Sequence, residues 1–176
     1  MLDKIFKGIV SLSMVLFSSY QGNEAKFTYL NSTLFNDHIV ITSELENAFD
    51  NDFNSIFKSG QKIEICFDLK IHNSKKLLHE KKFCHSVEYD PLYSSFFVVL
   101  EESDKTIKIN SYPKLIKTIS NIEYEYVGEI PSQVKVSLKA YLKKLNLKTL
   151  GKEYNLMLLW KLKNPEISQV FNKKTF

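Results

Sequence analysis

The sequence contains no arginine. All 24 basic residues are lysines, 20 residues are acidic, and the formal net charge is +4. Arginine is the residue that grips phosphates and carboxylates through two parallel hydrogen bonds, so clamps and arginine fingers of that kind are excluded. Since the net charge is also small, nothing in the composition indicates a nucleic-acid partner, and we predict none.

Glycine, proline and cysteine are scarce, with five, four and two residues respectively. So little glycine and proline excludes a collagen-like chain or a flexible linker. By contrast, 44% of the residues are hydrophobic and 13% are aromatic, which favours strands over disorder. A chain of 176 residues is long enough to form one domain with a sizeable core.

The short motifs of common active sites and metal centres are missing too: the sequence has no G-x-S-x-G, no glycine-rich phosphate loop and no C-x-x-C. A hydrolase using His79 or His85 would rest on strand parity alone, and a partly buried structural histidine is the simpler interpretation. A calcium cluster of Glu101, Glu102 and Asp104 lacks the ordered ligand spacing, which favours a solvated turn. We therefore predict no enzyme, no cofactor and no metal.

The first 22 residues have the pattern of a targeting segment. Lys4 and Lys7 precede the apolar run 8–17, as in a secretory signal. The run is too short for an ordinary membrane-spanning helix, and no clear cleavage site follows it. We predict residues 1–22 to be a signal peptide or a membrane anchor, so that the protein is exported and periplasmic or membrane-associated. The alternative is a buried N-terminal helix of a cytosolic protein.

Residues 61–90 carry the strongest structural signal. Apolar residues fall on every second position from Ile63 to Ile71, which predicts a strand with one buried face. The polar segment 73–76 then interrupts the pattern, and a second strand runs to Tyr89. Two adjacent strands joined by so short a polar segment predict an antiparallel hairpin.

One register of this hairpin satisfies charge, apolar and cysteine matching together. Each opposed pair of opposite charges or aromatic rings stabilises by roughly 0.2–1 kcal/mol, and a slip of one residue would set apolar against charged side chains. The two cysteines would also face each other, about 4.5–5.5 Å apart at Cα. That distance suits a disulfide, although two free, partly buried thiols are the other interpretation. The predicted pairs are Phe67 with Phe83, Asp68 with Lys82, Lys70 with Glu80, Ile63 with Val87, and Cys66 with Cys84.

The other segments predict further strands and two short helices. The first helix is expected to open at Ser43, with Glu46 completing a capping box, and to end at Ser59–Gly60. The second has Pro113 in its first turn. Expected strands lie at 24–36, 38–42, 96–101, 105–110, 122–127, 133–145 and 154–162. The unbroken apolar run 96–100 predicts burial on both faces.

These elements predict a mainly β fold, either an antiparallel β-sandwich or a partly closed barrel, with two short α-helices. We expect a single domain over residues 23–163 and a C-terminal tail over residues 164–176.

A regional excess of lysine marks the C-terminal part of the chain, where residues from 132 onward include ten lysines and two glutamates. Lys135, Lys139 and Lys143 share one face of the predicted strand 133–145 with Tyr141. This basic face could dock an anionic lipid or an acidic partner. The other interpretation is a solvated face whose lysines protect an edge against aggregation.

Several short motifs between residues 43 and 160 stand out together. They are Ser43–Ala48, Tyr89–Leu92, Ser111–Ser120, Gln133–Leu145 and Trp160. With these motifs the chain resembles a secreted bacterial family, domain of unknown function 4390. The resemblance implies an exported envelope domain with no known chemistry and no functional residues to carry over. The chain departs from the family in its longer segment 50–59 and in lacking arginine.

Taken together, these features predict a non-catalytic cell-envelope domain that binds a protein partner or a membrane surface. The alternative is a carrier of an apolar ligand, which would need an interior that its own phenylalanine and tyrosine side chains leave unfilled.

Overall fold

The computed structural model describes residues 22–50, 53–74, 76–147 and 152–173. Nearly all of the predicted targeting segment, residues 1–21, therefore lies outside the described residues. The elements in chain order are β1 (Lys26–Leu34), β2 (His38–Glu46), α1 (Phe53–Phe57), β3 (Ile63–Asn73), β4 (Lys76–Asp90), β5 (Ser95–Leu100), β6 (Lys105–Ile109), α2 (Tyr112–Ser120), β7 (Asn121–Val127), β8 (Gln133–Leu142), β9 (Leu145–Leu147), β10 (Lys152–Tyr154) and β11 (Glu166–Asn172), with 3-10 turns at Glu101–Ser103 and Leu156–Trp160.

Antiparallel pairing arranges these strands in two main sheets. The large sheet has the order β11-β8-β3-β4-β5-β6, the small sheet has the order β1-β2-β7, and β9 pairs with β10. The inner faces of both main sheets contribute to one hydrophobic core, and β1 lies beside β11. The predicted mainly β, antiparallel, sandwich-like fold with two short helices is confirmed. In the described residues both sheets are open rather than closed into a barrel.

The predicted β3–β4 hairpin is confirmed with its register. Phe67 pairs with Phe83 and Cys66 with Cys84, and the other three predicted pairs also occur. The rings of Phe67 and Phe83 lie 5.3 Å apart, centre to centre. A register shift after Ile71 bends the far end of the hairpin. With β8 on the other side of β3, this hairpin forms the middle of the large sheet.

The residue pattern of strand β8 explains why the large sheet has one buried face and one solvent-exposed face. Its aliphatic residues occupy every second position, and each of them is at most 2% exposed. Because successive side chains on a strand point to opposite faces, all the apolar residues enter the core while the lysines stay in water. The buried set is Val134, Val136, Leu138, Ala140 and Leu142.

The helix predicted to open at Ser43 is wrong. Strand β2 continues to Glu46, and the helix is only the single turn and a half of α1. Ser43 is buried at an inward position of β2, and its hydroxyl donates to the Tyr29 carbonyl at 2.6 Å instead of capping a helix. A serine at this inward position interrupts the alternation of apolar residues along β2. Since serine is also a common N-cap residue, the sequence was interpreted as the start of a helix.

The first strand also alternates imperfectly, for a local reason. The pairing of β1 with β2 shifts between Phe27 and Leu30. Both residues are buried although they have opposite parity. An extra residue in one strand switches the inward parity beyond it, so a strict period-two pattern could not describe this segment.

The predicted strand 154–162 is also wrong over most of its length. Leu156–Trp160 is a 3-10 turn that the Asn155 side chain caps by accepting from the Met157 N–H at 3.1 Å. Leu156, Leu159 and Trp160 are buried at helical spacing. The Trp160 indole N–H donates to the Ala48 carbonyl at 2.8 Å, which ties this turn to the end of β2.

The predicted C-terminal tail is wrong for residues 166–172. These residues form β11, which pairs with β8 from Glu166 opposite Lys139 to Asn172 opposite Gln133. Ile167 and Phe171 pack against the core. Chain ends tend to be poorly ordered, but this segment is ordered because it pairs with the edge of β8.

Candidate functional site

The outer face of the large sheet carries every site residue predicted from the sequence. Cys66 lies between Cys84 on β4 and Tyr141 on β8, in one row across three strands. Lys139 of β8 and Lys143, directly after β8, flank this row on the same face, whereas Lys135 lies four residues farther along β8. The predicted residues on this face are Cys66, Cys84, Lys135, Lys139, Tyr141 and Lys143.

Of the two alternatives for the cysteines, the structure contains the disulfide. The Sγ atoms of Cys66 and Cys84 are 2.03 Å apart and their Cα atoms 4.0 Å apart. The Cys84 N–H donates to the Glu101 carboxylate at 2.7 Å rather than to Cys66. The two cysteines therefore form a pair without mutual backbone hydrogen bonds, the arrangement in which opposed Cα atoms approach most closely.

The lysines on this face do not form a uniformly positive surface, because carboxylates lie between them. Lys139 has Asp68 of β3 on one side and Glu166 of β11 on the other. Lys143 makes an ion pair with Glu64 at 3.0 Å. Charges of alternating sign at such short range largely cancel beyond about 10 Å in physiological salt, so this face attracts distant anions only weakly.

The pKa shifts of Glu64 and Lys143 also indicate that these two charges neutralise each other. Burial by itself would raise the pKa of Glu64, but the hydrogen bond from Lys143 and the charge of Lys62 outweigh it and lower the pKa. The same hydrogen bond raises the pKa of Lys143. Both side chains therefore stay charged around neutral pH and hold each other rather than a ligand.

The carboxylates near the disulfide do not make a convincing metal centre. Among the described residues, Glu64, Cys84 and Glu101 have ligand atoms within 4.8 Å of one another. The Cys84 sulfur is bonded to Cys66, so it offers no thiolate. The calcium alternative has no support from the geometry, since Glu101 binds the backbone of β4 on the outer face while Glu102 points inward to His85.

A cluster of exposed apolar side chains at the β4–β5 turn was not predicted from the sequence. Leu92 is 82% exposed, Tyr93 67% and Phe97 38%. The Lys108 ammonium lies over both rings, 4.4 Å from the centre of Tyr93 and 5.6 Å from that of Phe97. Such cation–π contacts contribute about 0.5–1 kcal/mol each at exposed sites. We call Leu92, Tyr93, Phe97 and Lys108 the aromatic corner.

The turn that presents the aromatic corner is held by its own side chain. The Asp90 carboxylate accepts from the N–H groups of Leu92 at 2.8 Å and Tyr93 at 3.3 Å. This is the Asx-turn geometry that Asp before Pro91 favours. The turn itself was predicted, whereas Phe97 belongs to the run expected to be buried on both faces. That expectation is wrong, because β5 has only one face against the core.

The two histidines of β4 have different partners. His79 shares a 2.7 Å hydrogen bond with the Tyr124 hydroxyl, and its ring stacks on Tyr126 at 4.4 Å. Burial, with the charge of Lys81, lowers the pKa of His79. Burial also raises the pKa of Tyr124. His85 lies deeper, fully buried beside the core phenylalanines, so the two histidines do not converge on one reaction centre.

No protein-family model, curated protein or solved structure matches the chain. The resemblance to domain of unknown function 4390 therefore stays a prediction. Across the described ranges, no helix has the length and apolar content needed to cross a bilayer.

Proposed function

We propose that this protein is an exported, non-catalytic domain that binds a protein partner through the aromatic corner. The observation that carries the proposal is the joint exposure of Leu92, Tyr93 and Phe97 on one turn and the adjoining strand. Clustered exposed apolar side chains are typical of interaction sites. Burying each of them fully would contribute about 1.5–3 kcal/mol, and aromatic anchors are common binding hot spots.

The charges around the aromatic corner favour a protein over an anionic membrane. Its single cation, Lys108, is already placed over two rings. Glu88 pairs directly with Phe97 on the neighbouring strand, and the Asp90 carboxylate lies in the turn itself. Acidic groups at the rim would be repelled by anionic headgroups. A partner surface with apolar side chains and one acceptor for Lys108 fits better.

The packing of the interior supports a binding domain rather than a carrier. The space between the sheets is occupied by large side chains of the chain itself, among them Phe53, Phe57, Phe67, Phe83 and Trp160. A carrier needs a concave, unfilled site. Nothing in the described interior favours the carrier alternative.

Two features support export. The first is the signal-like pattern at the N-terminus of the sequence. The second is the Cys66–Cys84 disulfide, because disulfides persist mainly in oxidising compartments such as the periplasm or the cell exterior.

A crosslinking experiment tests the proposal. The full chain, carrying a photoreactive benzoylphenylalanine at Leu92, is irradiated in its native cells, and the captured protein is then purified for direct binding measurements. We expect the double variant Tyr93→Ser/Phe97→Ser to bind this protein at least about tenfold more weakly, because loss of hot-spot residues typically costs 2 kcal/mol or more.

The matched control changes the other candidate surface. Lys135→Glu/Lys139→Glu should leave the dissociation constant within about twofold. A probe at the exposed Val170, on the opposite edge of the sheet, should not capture the same protein. Unchanged binding by the Tyr93/Phe97 variant would contradict the proposal, and selective loss in the lysine variant would assign the docking role to the β8 face.

A further inference from the structure

Two leucines are exposed at the end of the 3-10 turn Leu156–Trp160, most of whose other side chains enter the core. Leu158 is 47% exposed and Leu162 is 58% exposed. Lys161 lies between them in the sequence and Lys163 follows, and both lysines are exposed. We call Leu158, Lys161, Leu162 and Lys163 the leucine turn.

The backbone of the leucine turn holds these side chains outward. Lys161 and Leu162 have left-handed geometry, with φ 52° and 60°, which residues other than glycine adopt uncommonly. The Lys161 N–H donates to the Leu158 carbonyl at 3.1 Å, and the Leu162 N–H donates to the Met157 carbonyl at 2.8 Å. The exposure of Leu162 is therefore fixed by the fold, at a position where glycine or asparagine is the usual residue.

The N-terminal part of the chain joins the domain beside the leucine turn. The Asn23 N–H donates to the Leu159 carbonyl at 2.8 Å. Gly22 leaves no room for a side chain, since a Cβ atom there would lie 2.7 Å from the Lys161 Cγ atom. The segment before Gly22 therefore leaves the domain at the leucine turn.

We propose that the leucine turn contacts a lipid bilayer, as a second membrane contact beside the N-terminal segment. Residues 1–21 lie outside the described part of the chain, but their sequence contains the apolar run 8–17, preceded by Lys4 and Lys7. The run is too short for an ordinary membrane-spanning helix. A single lipid chain binds a membrane only marginally and stable anchoring takes two signals, so a short apolar run also gains from a second contact.

This contact requires the proposed export, with residues 1–21 retained, and it does not depend on the aromatic corner. Two exposed leucines offer too little area for a stable protein–protein interface, which typically buries about 1,200–2,000 Å² in total. A bilayer needs no complementary shape. Because the leucine turn adjoins the point where the chain leaves the domain, an anchored N-terminal segment would hold it at the membrane surface.

The side chains of the leucine turn suit the boundary between water and lipid. Removing apolar surface from water is stabilising in proportion to its area, and about half of each leucine is still exposed. Lysine side chains bury their stems in apolar surroundings while the ammonium groups stay among the headgroups. Glu24 is held by Lys161 at 2.7 Å, and Lys163 adds a positive charge beyond this pair, which lipid phosphates can neutralise.

Spin labelling of the full chain measures the contact. A nitroxide is attached to Leu162→Cys, with the native disulfide kept oxidised, and the protein is reconstituted with mixed phosphatidylcholine–phosphatidylglycerol vesicles. Collisions with oxygen, which dissolves in lipid, and with a water-soluble nickel chelate give the depth of the label. We expect a depth of about 5–10 Å below the headgroup surface, as for other interfacial apolar side chains.

The matched control is Val170→Cys, which carries the same label at another exposed apolar position. Val170 pairs with Lys135, seven residues along β8 from Leu142. The Leu142 N–H donates to the Met157 sulfur in the 3-10 turn, so Leu142 marks the end of β8 near the leucine turn. Seven residues of strand span roughly 23 Å, and the Val170 label should therefore stay in water.

Three results would each overturn the proposal. The first is a Leu162 label as accessible to the nickel chelate as the Val170 label. The second is a Leu162 label shielded from oxygen and chelate alike, because a protein segment such as residues 8–17 would then cover the turn. The third is a protein that, purified from its native cells, lacks residues 1–21 in peptide mass spectrometry, whereas we expect these residues in the membrane fraction.

A second variant tests the leucines themselves. A label at Lys163→Cys should lie at the membrane surface in the otherwise unchanged chain. With Leu158→Ser/Leu162→Ser added, this label should become as accessible to the chelate as the Val170 label, because the N-terminal segment alone does not hold the turn against the lipid. An unchanged depth of the Lys163 label would contradict the membrane role of the two leucines.

Discussion

Replacing Phe67 with alanine is expected to lower the free energy of unfolding by about 3–5 kcal/mol. Phe67 is 0% exposed and packs against the rings of Phe83 and His85. Its strand has paired neighbours on both sides, so the backbone has little freedom to collapse into the cavity. Equilibrium denaturation in guanidinium chloride, with the disulfide intact, measures the change.

Phe97→Ala provides the matched control on the same sheet. Its ring is 38% exposed on the outer face, so the same truncation should cost only about 1 kcal/mol or less. If both variants lost equal stability, the assignment of Phe67 to the inner face and Phe97 to the outer face would be contradicted.

Removing the disulfide should have the second-largest effect. In Cys66→Ala/Cys84→Ala the free energy of unfolding is expected to fall by about 3 kcal/mol, the loop-closure value for a loop of this size, since the two cysteines are 18 residues apart. The native hairpin loses little contact area, so the effect comes mainly from a less constrained unfolded chain. Denaturant unfolding with and without reductant measures it.

The reductant supplies the control. Reduction should destabilise the wild type by a similar amount and leave the double alanine variant unchanged. A wild type whose unfolding midpoint does not respond to reductant would contradict a stabilising disulfide.

Where the sequence predicted structure best, several independent patterns agreed. The β3–β4 register followed from three patterns: the apolar alternation, charge pairs such as Asp68 with Lys82, and the positions of the two cysteines. A shift of the register by one residue would disrupt all three. Strand β8 was predictable for a related reason, because its alternation continues without interruption over ten residues.

The predictions that were wrong have physical causes that the local sequence pattern does not show. A buried serine at position 43 finds a backbone acceptor on β1, a long-range contact that the local sequence does not reveal. The turn carrying Trp160 had helical spacing, but its uniformly apolar composition also fits a buried strand. Strand β11 forms because β8 offers it an edge.

The candidate sites divide in the same way. The cysteine pair was predictable because it depends on the register of one hairpin. The lysines could be assigned to one face of β8 because they occupy alternate positions. Their carboxylate neighbours, Asp68 and Glu166, belong to adjacent strands, and the local sequence does not show which strands lie next to β8. The aromatic corner depends on β5 having one exposed face, which follows from the stacking of the sheets.

Peptide mapping of the protein from its native cells, alkylated at lysis and never reduced, tests the central claim most directly. The claim is that an exported chain is built around the β3–β4 pairing, with Cys66 opposite Cys84. We expect one disulfide-linked pair of peptides containing these residues and no alkylated cysteine. Two fully alkylated cysteines would contradict both the bond and the oxidising compartment inferred from it.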